Sequence, residues 1–277
     1  MKFKKLLRRI FLYTIVIITV SLVIWPILWM ISFSFKSPEE QFRVPPTLTI
    51  EKFTLYNFER GIKHAVPRFL FNSFLVSSLT AIIVIIFSIF SAYSLTRFNF
   101  RWRKQILYII ILTQAFPLAA IIIPLYRIMF DLKLLDTYMS LIIAYLTFTV
   151  PTGVWLLRGF LQSIPLELEE AALIDGCNRL NAFIRIVLPL MRPGITTTIA
   201  YIFIVTWQEF MFALTFISSP ELKTLPVGVL VFIGQLGLVE WGALMAGSML
   251  AFLPVFALFL FLQKQLIAGL TAGALKA

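Results

Sequence analysis

The chain is poor in the residues on which most protein chemistry depends. It has one cysteine, Cys177, so no disulfide can form within it. Its one histidine, His64, gives no His-rich metal constellation, and both residues read as ordinary packing or solvated positions. No G-x-x-x-x-G-K-[ST] segment occurs, which excludes a P-loop of its own. Neither a Ser/His/Asp or Cys/His nucleophile set nor the paired acids of an intramembrane protease can be found. The sequence therefore predicts no catalytic residue and no metal site. Charge is scarce too. Asp, Glu, Lys and Arg make up 13% of the 277 residues, whereas hydrophobic residues make up 60%. A soluble globule could not cover so much apolar surface with so little charge.

The scarce charges are bunched and leave long uncharged runs. These are Ile10–Phe35, Phe69–Thr96, Gln105–Tyr126, Thr137–Leu157, Pro193–Pro220 (broken only by Glu209) and Trp241–Gln263. About 20 residues of helix cross a bilayer. The runs are continuous rather than alternating, so they read as helices and not as barrel strands. The expected architecture is an all-α integral membrane protein, one domain over 1–277, with spans at 10–35, 69–96, 105–126, 137–157, 193–219 and 241–263. The first run is expected to be a retained anchor, because its apolar core is too long for a leader and no A-x-A-type site follows.

Lys and Arg set the orientation. With the N-terminus inside, the inner segments 1–9, 97–104, 158–192 and 264–277 carry five, four, four and two of them. The outer segments 36–68, 127–136 and 221–240 carry six, two and one. The bias is strongest in "RFNFRWRK", residues 97–104. This predicts an N-in/C-in chain whose basic loops face anionic membrane lipid, which removes the need for a nucleic-acid partner despite a pI near 10.0. The outer loop 36–68 contains Pro45-Pro46, an extended element, and serves as a cap, a partner contact or an ordered connector. Pro26, Pro117, Pro124, Pro151 and Pro254 fall inside apolar runs. "QAFPLAAIIIPLY" is the best candidate for a deliberate bend.

Between the fourth and fifth runs lies "SIPLELEEAALIDGCNRLNAFIRIVLPL", residues 163–190, amphipathic and carrying both charges. Ser163 and Pro165 are helix-start residues. Glu167, Glu169 and Glu170 suit the positive end of the helix dipole. Leu168, Ala171 and Ala172 share a face, and Gly176 can end the helix in a left-handed conformation. Asn178 can cap a second helix with Leu180, Phe183, Ile184, Val187 and Leu188 as its apolar stripe, which Pro189 stops. A helix lying in the interface with no partner fits this composition equally well.

The spacing separates the two readings. Glu170-Ala171-Ala172, three residues, Gly176, nine residues, then Ile186-x-Leu188-Pro189 resembles the E-A-A-x3-G-x9-I-x-L-P loop of ABC-importer permeases, and every fixed position matches. "WQEFMFAL", 207–214, resembles the W-N-E-F pattern of carbohydrate permeases, with Gln208 in place of Asn. "NSFLVSSL", 72–79, is similar to the start of their second span. "GLTAGALKA", 269–277, resembles the tail of MalG-like permeases, with Ala274 and Ala277 where glycines are usual.

The resemblance implies a type I ABC importer permease fold in the cytoplasmic (inner) membrane of a prokaryote. It implies docking of a cytoplasmic ATPase by a coupling helix at Glu170, Ala171, Ala172, Asp175, Gly176, Ile186, Leu188 and Pro189. It also implies a tail at Gly269, Leu270, Thr271 and Gly273 that reaches the ATPase dimer. The implied partners are a second, MalF-like permease subunit, two cytoplasmic ATPase subunits that bind ATP and Mg, and an extracytoplasmic sugar-binding protein. This chain would need no cofactor of its own.

Glu209 is the one carboxylate inside a run. If the fifth helix starts at Pro193, it lies roughly 24 Å along it. Such a group either faces a polar path or pins helices by hydrogen bonds. With Trp207, Gln208, Asn72 and Gln114 it forms the set of candidates for a substrate path. The expected function is a non-catalytic permease subunit importing a di- or oligosaccharide of maltose/trehalose type by alternating access. The alternatives are a permease for another sugar or for glycerol phosphate, and a self-sufficient secondary carrier. The last would need further intramembrane acids or histidines, which the sequence lacks.

In a Cys177→Ala background, single cysteines at Ile50 and Leu230 are expected to react with an impermeant thiol reagent outside intact cells. Cysteines at Phe100, Asp175 and Lys276 are expected to stay unlabelled. Labelling at Asp175 would reverse the orientation.

Overall fold

The computed structural model describes residues 2–234 and 239–274, with side chains for 6–7, 9–234 and 239–263. Its helices are α1 Lys2–Phe35, α2 Pro38–Gln41, α3 Tyr56–Lys63, α4 Val66–Arg97, α5 Arg103–Thr113, α6 Leu118–Asp131 and α7 Tyr138–Leu161, then α8 Glu167–Ile174, α9 Arg179–Ala182, α10 Leu188–Leu190, α11 Arg192–Trp207, α12 Met211–Phe216, α13 Leu225–Gly228 and α14 Trp241–Ala274. A π-turn, Phe183–Val187, joins α9 to α10. There is no strand among the described residues, only isolated bridges at Lys36–Phe53 and Ile233–Val239. The chain divides into two compact units, one of residues 1–67 and 228–253, the other of 68–227 and 254–277.

In the first unit, α1 presents apolar side chains outward along its length, including Leu22 at 71% exposure. That surface suits lipid, in which apolar exposure costs nothing. Its C-terminal carbonyls need partners, and the segment after it folds back to supply them. Asn57 Nδ2 donates to Ser34 O (3.0 Å) and Lys36 O (2.8 Å), and Gln41 Nε2 donates to Lys36 O (3.0 Å). Lys36 Nζ donates to Thr47 O. Arg60 grips Glu240 with two bonds, of 3.0 and 2.5 Å. Gly242 packs so closely here that a Cβ would lie 2.1 Å from Gln41 Nε2. The segment 36–68 is thus an ordered connector with two short helices.

In the second unit, α4, α7, α11 and α12 build the core. Val76, Leu141, Tyr145, Phe212 and Phe216 fill one cluster; Ala92, Leu157, Leu161, Phe183 and Val187 fill another. Small residues let the backbones approach, as helices do in lipid where no hydrophobic force draws them together. Polar pins then fix the ends. Asp136 accepts from Ser219 Oγ (2.5 Å) and from the N–H groups of Ser219 (2.9 Å) and Ser218 (3.0 Å), and these bonds hold its carboxyl below the usual range.

Two expected spans are not single helices. The run 105–126 breaks between α5 and α6 with a bend of 100°. Pro117 has no N–H to donate and forces an extended turn there, so the break falls within the predicted bend. The run 193–219 breaks after Trp207: α11 stops, Gln208–Phe210 leave the helix, and α12 restarts at Met211. Among the described residues, four helices are long and apolar enough to cross a membrane, at Arg9–Phe35, Val66–Arg97, Tyr138–Leu161 and Trp241–Gln263. The number reaches six if the pairs α5/α6 and Arg179–Leu190/α11 each count as one. Pro26, Pro151 and Pro254 lie inside unbroken helices.

Helix α7 offers a matched test of this packing. A Cβ on Gly153 would lie 2.5 Å from Ser88 Oγ and 2.8 Å from Val84 Cγ1, whereas one on Gly159 meets nothing within 4 Å. Gly153→Val is expected to lower the thermal midpoint in detergent through an overpacking cost of about 1–3 kcal/mol. Gly159→Val should leave the midpoint nearly unchanged.

Candidate functional site

The segment after α7 forms two short helices around a sharp turn. Ser163 does not start the first. Its hydroxyl donates back to Phe160 O (2.6 Å) at the end of α7, and α8 begins at Glu167 after Leu166, which makes no side-chain cap. At the other end, Gly176 has φ +87°, with Gly176 N–H on Leu173 O (3.2 Å) and Cys177 N–H on Ala172 O (2.9 Å). That pair of bonds is a Schellman closure, and the left-handed residue in it favours glycine. Asn178 then caps the second helix, its side chain accepting from Asn181 N–H (2.8 Å). Pro189 lies one residue before this helix ends at Leu190, and the chain bends by 67° between there and Arg192.

What holds α8 is a residue to which the sequence assigned only a dipole role. Glu169 is buried (5% exposed). It accepts from Arg97 Nε (2.5 Å) and from Tyr93 OH (3.0 Å), both at the end of α4. Arg97 also donates to Ile164 O (2.9 Å), just before α8. A buried carboxylate needs this full set of partners. The inward face of α8 is therefore Glu169 and Ala172, while Leu168, Glu170 and Ala171 point away from the body. In the second helix only Phe183 and Val187 of the predicted stripe are buried; Leu180 and Ile184 are 61% and 49% exposed.

The outward surface is therefore Glu170, Ala171, Ile174 (86% exposed), Asp175 and Gly176, followed by Leu180. It has a carboxylate at either side, small residues between, and an unburied isoleucine. A Cβ at Gly176 would meet open space. Ile186 and Leu188 are half-buried and Pro189 is exposed.

The other candidates sit at helix breaks and ends. Glu209 is not inside a helix. It caps α12, accepting from the N–H groups of Phe212 (3.0 Å) and Ala213 (3.2 Å), and takes a bond from Tyr145 OH on α7 (2.9 Å). Of its two predicted roles, the pin between helices is the one its bonds perform. Gln208 is exposed and Trp207 is buried, stacked on Phe203. Gln114 lies exposed at the α5/α6 break, accepting from Thr152 Oγ1 (3.1 Å) and donating to Phe148 O (3.4 Å) on α7. Asn72 is buried and engaged: Nδ2 donates to Glu221 O (2.8 Å) and Lys223 O (2.9 Å), and Oδ1 accepts from Tyr138 OH (2.7 Å). It acts as a tether between chain segments. Of the five candidates, Gln114 and Gln208 keep exposed amides. The backbone at Gly269, Leu270, Thr271 and Gly273 is helical, but their side chains lie outside the described residues.

Residues 84–272 match the family described as binding-protein-dependent transport system inner membrane component. The chain is 37% identical, over 91% of its length and 89% of the relative, to a sulfoquinovosyl glycerol transport system permease protein of Agrobacterium fabrum. It is 33% identical, over 99% of both chains, to the trehalose/maltose transport system permease protein MalG of Thermococcus litoralis. Its fold is similar, with a TM-score of 0.72 and 22% identity over 93% of this chain and 96% of the other, to a chain of a solved bacterial ABC transporter involved in the import of the acidic polysaccharide alginate.

The Arg97–Glu169 pair gives a test in which the double change is milder than the single one. Arg97→Met leaves a buried carboxylate without its cation, at a cost of about 3–5 kcal/mol. Arg97→Met/Glu169→Met removes both charges and is expected to recover much of the loss. Thermal unfolding, with protease susceptibility of segment 163–178, measures both variants.

Proposed function

The chain belongs to the binding-protein-dependent transport system inner membrane components, and from that premise we propose that it is a permease subunit moving a di- or oligosaccharide of maltose/trehalose type into the cell. It does no chemistry itself. The observation that carries the reading is the turn at Gly176, exposed at its tip and bolted to α4 from behind by Glu169. A surface with small residues at its centre and carboxylates beside it fits the cleft of another protein. In this proposal the turn is the coupling helix, lying on the cytoplasmic side of an N-in/C-in chain. The partners are a second permease subunit, two ATPase subunits that bind ATP and Mg, and an extracytoplasmic sugar-binding protein. Closure of the ATPase dimer displaces the turn, and hydrolysis resets it, so the nucleotide shifts the population between inward- and outward-open states. The exposed amides of Gln114 and Gln208, each at a helix break, are the side chains proposed to meet sugar hydroxyls.

The relative named for sulfoquinovosyl glycerol is 37% identical to this chain, against 33% for the trehalose/maltose one. That observation favours a second reading, a permease for a different glycoside. Binding of candidate glycosides to the cognate solute-binding protein separates the two.

Gly176→Val places a branched side chain on a left-handed residue, at a backbone cost on the order of 1 kcal/mol, and fills the tip that a partner cleft must receive. It is expected to leave membrane insertion intact, to abolish co-purification of the ATPase and to stop ATP-dependent uptake. Glu170→Lys should do the same through charge, and Asn181→Ala should do little. Normal assembly and uptake in both Gly176→Val and Glu170→Lys would overturn docking at this turn.

A further inference from the structure

The loop between α4 and α5 carries a second feature, which the docking surface does not use. A cavity of about 680 Å³ lies where α5 begins, lined by Arg101, Arg103, Lys104, Arg158, Asn99 and Gln105 among others. Four cations converge on it and no carboxylate lines it. None of the four is in an ion pair with a carboxylate among the described residues. Topology explains why the loop is basic, but not why Arg158, from the end of α7, joins the same cavity.

Two of the four, Arg103 and Arg158, are positioned, while Arg101 and Lys104 are exposed at the rim. Arg103 is held by Leu95 O (2.7 Å), Thr96 O (3.3 Å) and Asn99 Oδ1 (2.9 Å), which leaves part of its five-donor fork unused. Arg158 lies 5.8 Å from the Trp155 ring, and its buried Nε has no hydrogen-bond partner. A buried guanidinium N–H left unpaired is costly, and a ligand oxygen would satisfy it. The first turn of α5 contains no acidic residue, so its dipole adds to the positive field.

We propose that this cavity binds a phosphate group, and that the phosphate belongs to an anionic phospholipid. The second half rests on α5. This helix buries none of its residues. Tyr108, Ile109 and Leu112 are 65%, 58% and 61% exposed on the helix that rises from the cavity, and Trp102 is 61% exposed beside it. A headgroup seated among the cations would lay its acyl chains along that apolar face, with the tryptophan at headgroup level. A free phosphate would make no use of it. The inner-leaflet position of the lipid rests on the orientation proposed above. The binding itself does not.

The test is native mass spectrometry of the full chain in mild detergent, with phosphatidylglycerol and phosphatidylcholine supplied in equal amounts. Preferential retention of phosphatidylglycerol is expected, falling about fivefold for each cation removed in the series Arg101→Gln, Lys104→Gln and Arg158→Gln. Arg158→Lys should keep most of the preference, which distinguishes lost charge from a damaged fold. Arg185→Gln/Arg192→Gln, equally basic positions away from the cavity, should leave it unchanged. A triple variant that keeps the preference, or a control that loses it equally, overturns the site. Millimolar inorganic phosphate is the remaining arm. Phosphate adducts without any preference for phosphatidylglycerol would overturn the lipid assignment. Detergent abolishes leaflets, so failure here stands apart from failure of the orientation, which thiol labelling reads.

Discussion

The contact between Arg97 and Glu169 is the constraint on which the exposed turn depends. Helix α8 has eight residues, too few to persist alone in water. Two of them are buried, Glu169 and Ala172, and the first of these is a carboxylate. Burying that charge is tolerable only because Arg97 and Tyr93 meet it together, at 2.5 and 3.0 Å. Once they do, the position of α8 is set to within a hydrogen-bond length. Everything outward of it, from Glu170 to Gly176, is oriented as a result.

The same logic governs the two broken helices. Interrupting a helix in an apolar setting frees backbone groups that lipid cannot satisfy. At the α11/α12 break, Glu209 takes the N–H groups of Phe212 and Ala213. At the α5/α6 break, Gln114 exchanges bonds with Thr152 and the Phe148 carbonyl. The Gln114 bonds take up no freed backbone group, but both breaks are tied to α7, through Tyr145 in the first case and Thr152 in the second. An unbroken α7 is what allows its neighbours to be broken, and the breaks are where amides such as Gln208 become exposed.

Much of this was legible in the sequence where the signal is local. Uncharged runs gave the apolar helices, Gly176 marked the left-handed turn, Asn178 the cap, and Pro117 the bend. Non-local features were not legible. Glu169 and Glu170 are adjacent acids with the same local character, and only a partner 72 residues away makes one buried and the other exposed. The break at Gln208 falls beside the one acid of its run, Glu209, but a hydropathy count does not see whether a carboxylate serves as a cap or lines a path. The stripe of the second helix was half right: Phe183 and Val187 are buried, whereas Leu180 and Ile184 are exposed.

Helix α4 is pinned by polar clamps near both ends. At Arg97 it holds α8; at Asn72 it holds the carbonyls of Glu221 and Lys223. Twenty-five residues of unbroken helix separate the two clamps, which is roughly 37 Å at 1.5 Å per residue. A helix resists compression along its axis, since each turn is braced by its own hydrogen bonds. The side facing its neighbours sets short Ser73, Ser77, Thr80 and Ser88 among Val76, Val84 and Ile85, a close-packed seam that holds the helix in register. Mechanically, α4 is a strut: the seat of α8 and the tether at Asn72 are fixed to the same stiff element, so neither can shift without straining the other.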